Sequence, residues 1–163
     1  GYDHKYVYSH FGYNLKATDM QAAVGCAQIK KFPSFVVRRK ENFARLKEGL
    51  LDLQDSFILP EPCENSDPCW FGFLITCKEG CDRNKVVRYA EEQGVQTRML
   101  FSGNLTKHPC FDQMRREGRG YRIAGDLTVT DQIMTDTFWI GVYSGMTDAM
   151  FDRMIRVLKE AVE

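Results

Sequence analysis

Apolar residues recur along this chain with two different periods, and the changes of period mark its elements. Met20, Ala23, Val24 and Ala27 return at helical spacing, which predicts a helix from Thr18 to about Lys31. Pro33 suits the first turn of a second helix. Along it Val36, Phe43, Leu46, Leu50 and Leu53 form one stripe, while Arg38, Lys40, Glu41, Lys47 and Glu48 make a solvated face. Residues 54–69 are polar and hold Pro60, Pro62 and Pro68, a surface connection with a short strand at Phe57–Leu59. Trp70 to Cys77 has the composition of a strand. Phe71, Phe73, Ile75 and Cys77 alternate in phase along it, which points this set into a core.

Lys78-Glu79-Gly80 turns the chain. A third helix starts at Asp82 or Asn84, carries Val86, Val87, Tyr89 and Ala90, and ends at Gly94. Val95–Met99 reads as a short strand. Residues 100–125 are irregular and hold Gly103, Pro109, Gly118, Gly120 and Gly125; so long a loop in a compact domain is usually functional or mobile. Leu127–Asp136 reads as a short helix and Phe138–Tyr143 as a strand, broken by Ser144-Gly145-Met146. Thr147 is the expected cap of a last helix striped by Phe151, Ile155, Leu158 and Val162. Few strands separated by helix-length connections predict an α+β fold, a small α/β sandwich with helices covering one face of a three- or four-stranded sheet.

Composition narrows the function classes. Acidic and basic side chains balance at 22 each, which gives no electrostatic reason to expect nucleic acid or an anionic membrane as partner. A 44% apolar share argues against disorder. No apolar run approaches the roughly 18 residues of a membrane span, and no secretion signal is visible, so a cytoplasmic location is expected. The chain begins at Gly1 without Met, which reads as a fragment of a longer protein. Cys26, Cys63, Cys69, Cys77, Cys81 and Cys110 are expected as reduced thiols. The gaps among Cys63, Cys69, Cys77 and Cys81 match neither structural zinc sites nor common ferredoxin runs, so no metal is assigned to them.

No self-contained catalytic set stands out: there is no Walker loop, no GxSxG and no HExxH. Two loops carry suggestive chemistry. Ser9 to Met20 places a His, a Gly and an Asn directly before a helix, where backbone N–H groups can surround an anion. The same spacing fits an ordinary helix start in which Thr18 and Gln21 form a capping box. Lys16 is either a phosphate-facing cation or a solvated surface charge. His4, His10 and His108 are far apart, and each alone fits a hydrogen-bonded structural role. In the second loop Arg98 is either a bidentate clamp for an anion or a strand-end surface charge. Phe101-Ser102-Gly103-Asn104 is either the wall of a pocket or a plain turn. Cys110-Phe111 reads as local packing.

The run Tyr8-Ser9-His10-Phe11-Gly12-Tyr13-Asn14-Leu15-Lys16, continued by Asp19-Met20-Gln21-Ala22-Ala23, resembles a signature of the DegT-like sugar aminotransferase family. Three further stretches, Ser66–Phe73, Thr97–Leu105 and Asp136–Tyr143, resemble its CDP-4-dehydro-6-deoxyglucose 3-dehydratase branch, which supplies 3,6-dideoxyhexoses for lipopolysaccharide. The resemblance covers essentially the whole chain. It implies the C-terminal part of a homodimeric fold-type-I pyridoxal-phosphate enzyme, with a mainly antiparallel sheet. Residues 1–31 would then serve the dimer and active site, and 32–163 would form the small domain. The large cofactor-binding domain, the catalytic residue and the cysteines of a two-iron two-sulfur cluster would all lie upstream, so no catalytic residue or metal ligand is assigned within this chain.

The resemblance also implies roles. Asn14 is expected to reach the cofactor phosphate of a neighbouring subunit, with Tyr13, Lys16 and His10 beside it. Arg98, Phe101, Asn104 and His108 are expected to line the site of a nucleotide-linked 4-keto-6-deoxyhexose. The implied reaction uses pyridoxamine phosphate to remove the C3 hydroxyl, with electrons from an NADH-dependent flavin and iron–sulfur reductase. The isolated chain is expected to be inert. The alternatives are a pyridoxal-phosphate aminotransferase of the same family and a non-catalytic ligand-binding module.

Overall fold

The computed structural model describes residues 10, 12, 13 and 15–163. The chain divides into two compact units, Gly1–Ser34 and Phe35–Glu163. In the first, α1 (Asp19–Ile29) starts as its sequence dictates. The Thr18 hydroxyl accepts the Gln21 N–H at 3.3 Å, and the Gln21 side chain accepts the Thr18 N–H at 2.9 Å. This reciprocal capping box satisfies donors that the first helical turn otherwise leaves unpaired. No residue of α1 is buried.

The second unit holds a four-stranded antiparallel sheet in the order β1-β2-β4-β3. Its strands are β1 (Phe57–Ile58), β2 (Gly72–Cys77), β3 (Thr97–Met99) and β4 (Thr137–Gly141). The helices are α2 (Phe32–Gly49), α3 (Arg83–Glu92), α4 (Asp112–Glu117), α5 (Thr128–Asp136) and α6 (Asp148–Glu160). The register pairs Phe73 with Ile140, Ile75 with Phe138 and Cys77 with Phe57, so one face is continuously apolar and buried. Leu46 on α2 and Leu50 just after it, Val86 and Ala90 on α3, and Phe151, Val157 and Leu158 on α6 complete this core. Gly49 lets α2 and α6 approach closely: a Cβ there would lie 2.3 Å from Ile155 Cδ1. Burial of each large side chain stabilises the fold by about 1.5–3 kcal/mol.

The expected α+β class and the sheet size hold. Asp82 caps α3 through its carboxylate, and Gly94 follows that helix with φ +75°. Four expectations need correction. Phe71 does not join the core; it precedes β2 and is 66% exposed, because the strand begins at Gly72. The stretch 100–125 is not wholly irregular: it contains α4 and two short 3₁₀ turns, Leu105–Lys107 and Pro109–Phe111. The α2 stripe ends at Gly49, and Leu53 belongs to a separate 3₁₀ turn. Thr147 occupies the cap position of α6, but its side chain makes no capping hydrogen bond. Among the described residues no helix is long and apolar enough to cross a membrane.

Candidate functional site

Arg98 stands on the face of the sheet opposite the core, paired with Trp139 across β3 and β4. Its position is fixed from the preceding residue. The Glu91 carboxylate accepts the Thr97 N–H at 2.6 Å and the Thr97 hydroxyl at 2.8 Å, tying the end of α3 to the start of β3. Those two bonds favour the ionised form and hold the Glu91 carboxyl below the usual range. Trp139 is anchored as firmly. Its indole N–H donates to the Met99 carbonyl at 3.2 Å, and Phe71 meets its ring edge-on at 5.6 Å. Gly72 makes room for it, since a Cβ there would sit 2.7 Å from the indole.

Arg98 and Trp139 line a cleft of about 340 Å³ with Tyr143, Met146, Met150 and Arg153. The Arg153 Nε donates to the Gln93 carbonyl at 2.9 Å, which holds this second guanidinium at the cleft wall. Aromatic and thioether surfaces beside two cations, one of them held at the wall, can take a planar apolar group attached to an anion. A more polar cleft of about 460 Å³, around Glu79, Asp82 and Lys85, touches none of the expected cofactor- or substrate-binding residues.

After β3 the chain makes a tight turn. Phe101 at its head is 95% exposed. Ser102 and Gly103 follow with φ +68° and +57°. Asn104 is almost wholly buried. Its side-chain oxygen accepts the Thr106 N–H at 3.1 Å and the Thr106 hydroxyl at 2.6 Å, and its side-chain amide donates to Asp131 on α5 at 2.7 Å. His108 Nε2 lies 2.7 Å from the Ser102 carbonyl oxygen. Lys107 pairs with Asp131 at 2.8 Å, and with Asn104 it holds the Asp131 carboxyl below its usual range. His108 thus bonds within its own turn and Asn104 to that turn and α5, and neither they nor Phe101 line the Arg98 cleft.

In the N-terminal unit Tyr13 is 92% exposed, and His10 and Lys16 are exposed as well. Asn14 lies outside the described residues. The cysteine reading agrees with the structure: all six described thiols are free, and Cys77 is buried. Burial and the neighbouring Cys81 push its thiol far above the ordinary value. Among the described residues no group of three or more His, Cys, Asp or Glu side chains could hold a metal. Sequence reading missed Trp139, Tyr143, Arg153 and Asp131. Alternation along Phe138–Tyr143 puts Trp139 and Tyr143 on the face away from the core, a usable signal. Arg153 and Asp131 reach their partners from 60 and 27 residues away, which no local pattern reveals.

The chain is 49% identical over 162 residues to the lipopolysaccharide biosynthesis protein RfbH of Salmonella typhimurium, covering 98% of this chain and 36% of that protein. It is 46% identical over 164 residues to the dTDP-4-dehydro-2,6-dideoxy-D-glucose 3-dehydratase of Saccharopolyspora spinosa, covering 99% and 34%. The chain therefore spans about a third of the length of these relatives. Among solved structures it shares its fold with a GDP-4-keto-6-deoxymannose-3-dehydratase (ColD) H188N mutant carrying GDP-perosamine. There the TM-score is 0.79 and identity 22%, over 94% of this chain and 39% of that one. An Escherichia coli GDP-4-keto-6-deoxy-D-mannose-3-dehydratase with bound hydrated PLP gives 0.74 at 23% identity, over 93% and 37%. The sequence profile of the DegT/DnrJ/EryC1/StrS aminotransferase family matches residues 1–159, and the chain belongs to that family.

Proposed function

We propose that this chain is the C-terminal part of a cytoplasmic, homodimeric, pyridoxamine-phosphate-dependent dehydratase that removes the C3 hydroxyl of CDP-4-dehydro-6-deoxyglucose. Residues 1–31 serve the dimer and the active site, and 32–163 form the small domain. The observation that carries this reading is identity of nearly 50%, along almost the entire chain, both to a lipopolysaccharide biosynthesis protein and to a nucleotide-sugar 3-dehydratase.

The loop before α1 suits a cofactor phosphate in its side chains. The exposed Tyr13 hydroxyl and Lys16 ammonium are donors appropriate to a dianion, with His10 beside them. The helix start suits it less. Thr18 and Gln21 already cap one another, and Asp19 brings a negative charge into the first turn. The phosphate contact therefore falls to Tyr13, Lys16 and Asn14 rather than to the α1 dipole. When bound, the cofactor supplies the amine and the electron sink that loss of the hydroxyl requires.

This chain's residues bind and orient the sugar nucleotide. Arg98 offers a fork of donors to the diphosphate, and Phe101 offers an apolar surface to the sugar or base. The cysteines here do not fit an iron–sulfur cluster: Cys77 is in the core, and Cys26, Cys63 and Cys110 are separately exposed. Cluster, catalytic residue and the docking of an NADH-dependent flavin and iron–sulfur reductase are assigned to the rest of the parent protein, and the 163 residues alone are inert.

An aminotransferase is the second reading, favoured by the description of the family to which residues 1–159 match. One experiment separates them. The full-length parent is given CDP-4-dehydro-6-deoxyglucose with either pyridoxamine phosphate and a reducing system, or pyridoxal phosphate and glutamate. Loss of the C3 hydroxyl in the first mixture supports the dehydratase. A 4-amino sugar from the second, with the hydroxyl retained in both, overturns it.

A further inference from the structure

The turn after β3 combines features that packing alone does not require. A phenyl ring is almost fully exposed at Phe101, on a backbone that passes through the left-handed region at Ser102, where a side chain carries a conformational cost. Gly103 follows in the same region, so close to α5 that a Cβ would lie 2.6 Å from Met134 Cγ and 3.2 Å from Met134 Cα. This backbone is over-determined by its neighbours. Asn104 closes the turn from below through two bonds to Thr106 and one to Asp131, and His108 meets the Ser102 carbonyl oxygen. Arg115 donates to the carbonyls of Thr106 and His108, the latter at 3.1 Å, which ties the following segment to α4. These bonds restrain the backbone from Ser102 to His108 and so fix the point from which the exposed Phe101 ring projects.

We infer that Asn104 and Asp131 form a latch that holds the Phe101–Gly103 turn in the conformation presenting Phe101 to the sugar nucleotide. They are positioning residues acting through that turn. The inference rests on the functional reading above and deepens it, because it moves Asn104 from the contacts to their support and adds Asp131. Among the described residues, Asp131 on α5 receives two side chains from this segment: the part-buried Asn104 amide at 2.7 Å, and Lys107 at 2.8 Å in an exposed ion pair that contributes little.

The test uses the full-length parent with CDP-4-dehydro-6-deoxyglucose. Phe101→Ala is expected to raise KM about tenfold with kcat nearly unchanged, the signature of lost uniform binding. Asn104→Ala and Asp131→Leu should do the same, and each combined with Phe101→Ala should add little further, because all three remove one contact. Asp131→Asn keeps an oxygen acceptor for Asn104 and should restore KM to within about twofold of the parent. Retained cofactor absorbance and thermal transition identify folded variants, and Asp131→Asn against Asp131→Leu decides the matter should Asn104→Ala fail to fold. An unchanged KM in Asp131→Leu, or full additivity with Phe101→Ala, overturns the latch while leaving the dehydratase reading intact. A parent protein inactive on every nucleotide-linked 4-keto sugar overturns that reading, and the latch with it.

Discussion

The two faces of the sheet are made by alternate residues of the same strands, yet they behave as different materials. On one, Phe73, Ile75, Phe138 and Ile140 are completely buried. On the other, Arg98 is exposed and Trp139 only half-buried beside a cleft. Since side chains alternate with a period of two, the assignment of a residue to either face is fixed by register alone. Stability is thereby concentrated on one face, which leaves the other free to carry charge and open aromatic surface. The contrast is sharpest between neighbours. Phe138→Ala should cost about 3–5 kcal/mol in urea denaturation, the range for a buried aromatic replaced by a cavity. Trp139→Ala gives up an edge-on ring contact and one hydrogen bond on an open face, and should cost about 1–2 kcal/mol. Equal losses at the two positions would mean that the second face is also a core.

Most of the first face was legible in the sequence, and much of the second was not. Strand composition located β2 and β4, alternation pointed Cys77 into the core, and Asp82 and Gly94 bracketed α3 by local hydrogen bonding and backbone preference. Such signals work because their causes lie within a few residues. Phe71 misled because alternation cannot say where a strand begins, and one residue before Gly72 the ring turns to Trp139 instead of the core. The short polar α4 was hidden among glycines and a proline, since six residues are too few to show a helical period. Arg98 was identifiable as a candidate, but its partners Glu91 and Trp139 come from another helix and another strand. The tie between Asn104 and α5 was illegible for the same reason. The composition of the turn is visible, whereas the bond to Asp131 spans 27 residues.

Glu91 links the two faces, because it fixes Thr97 of the core side and thereby Arg98 of the open side. Its carboxyl is held below the usual range by the Thr97 N–H first and the Thr97 hydroxyl second. A depressed carboxyl contributes stability above its unfolded pKa and loses it as pH falls through the folded value. Glu91→Gln should therefore lower the unfolding midpoint at pH 7, and the gap between the two proteins should narrow steadily as pH falls from about 5 toward 3. A gap independent of pH in urea titrations would show that the carboxylate charge plays no part in anchoring β3.

The smallest expected change in stability is at Arg98 itself. Its side chain is exposed, buries no core surface and forms no ion pair among the described residues. Arg98→Ala should shift unfolding by no more than about 0.5 kcal/mol, the range for surface substitutions. Its effect belongs to binding. In the full-length parent KM for CDP-4-dehydro-6-deoxyglucose should rise about tenfold or more, as expected when one charge-assisted pair to a diphosphate is lost. Arg98→Lys separates charge from shape: an ammonium retains the charge but not the planar fork, so recovery should be partial. Full recovery by Lys would reduce Arg98 to a steering charge. No change in either variant would return it to the ordinary surface arginine that its strand-end position also permits, and the open face would then owe its exposure to a partner surface instead of a ligand.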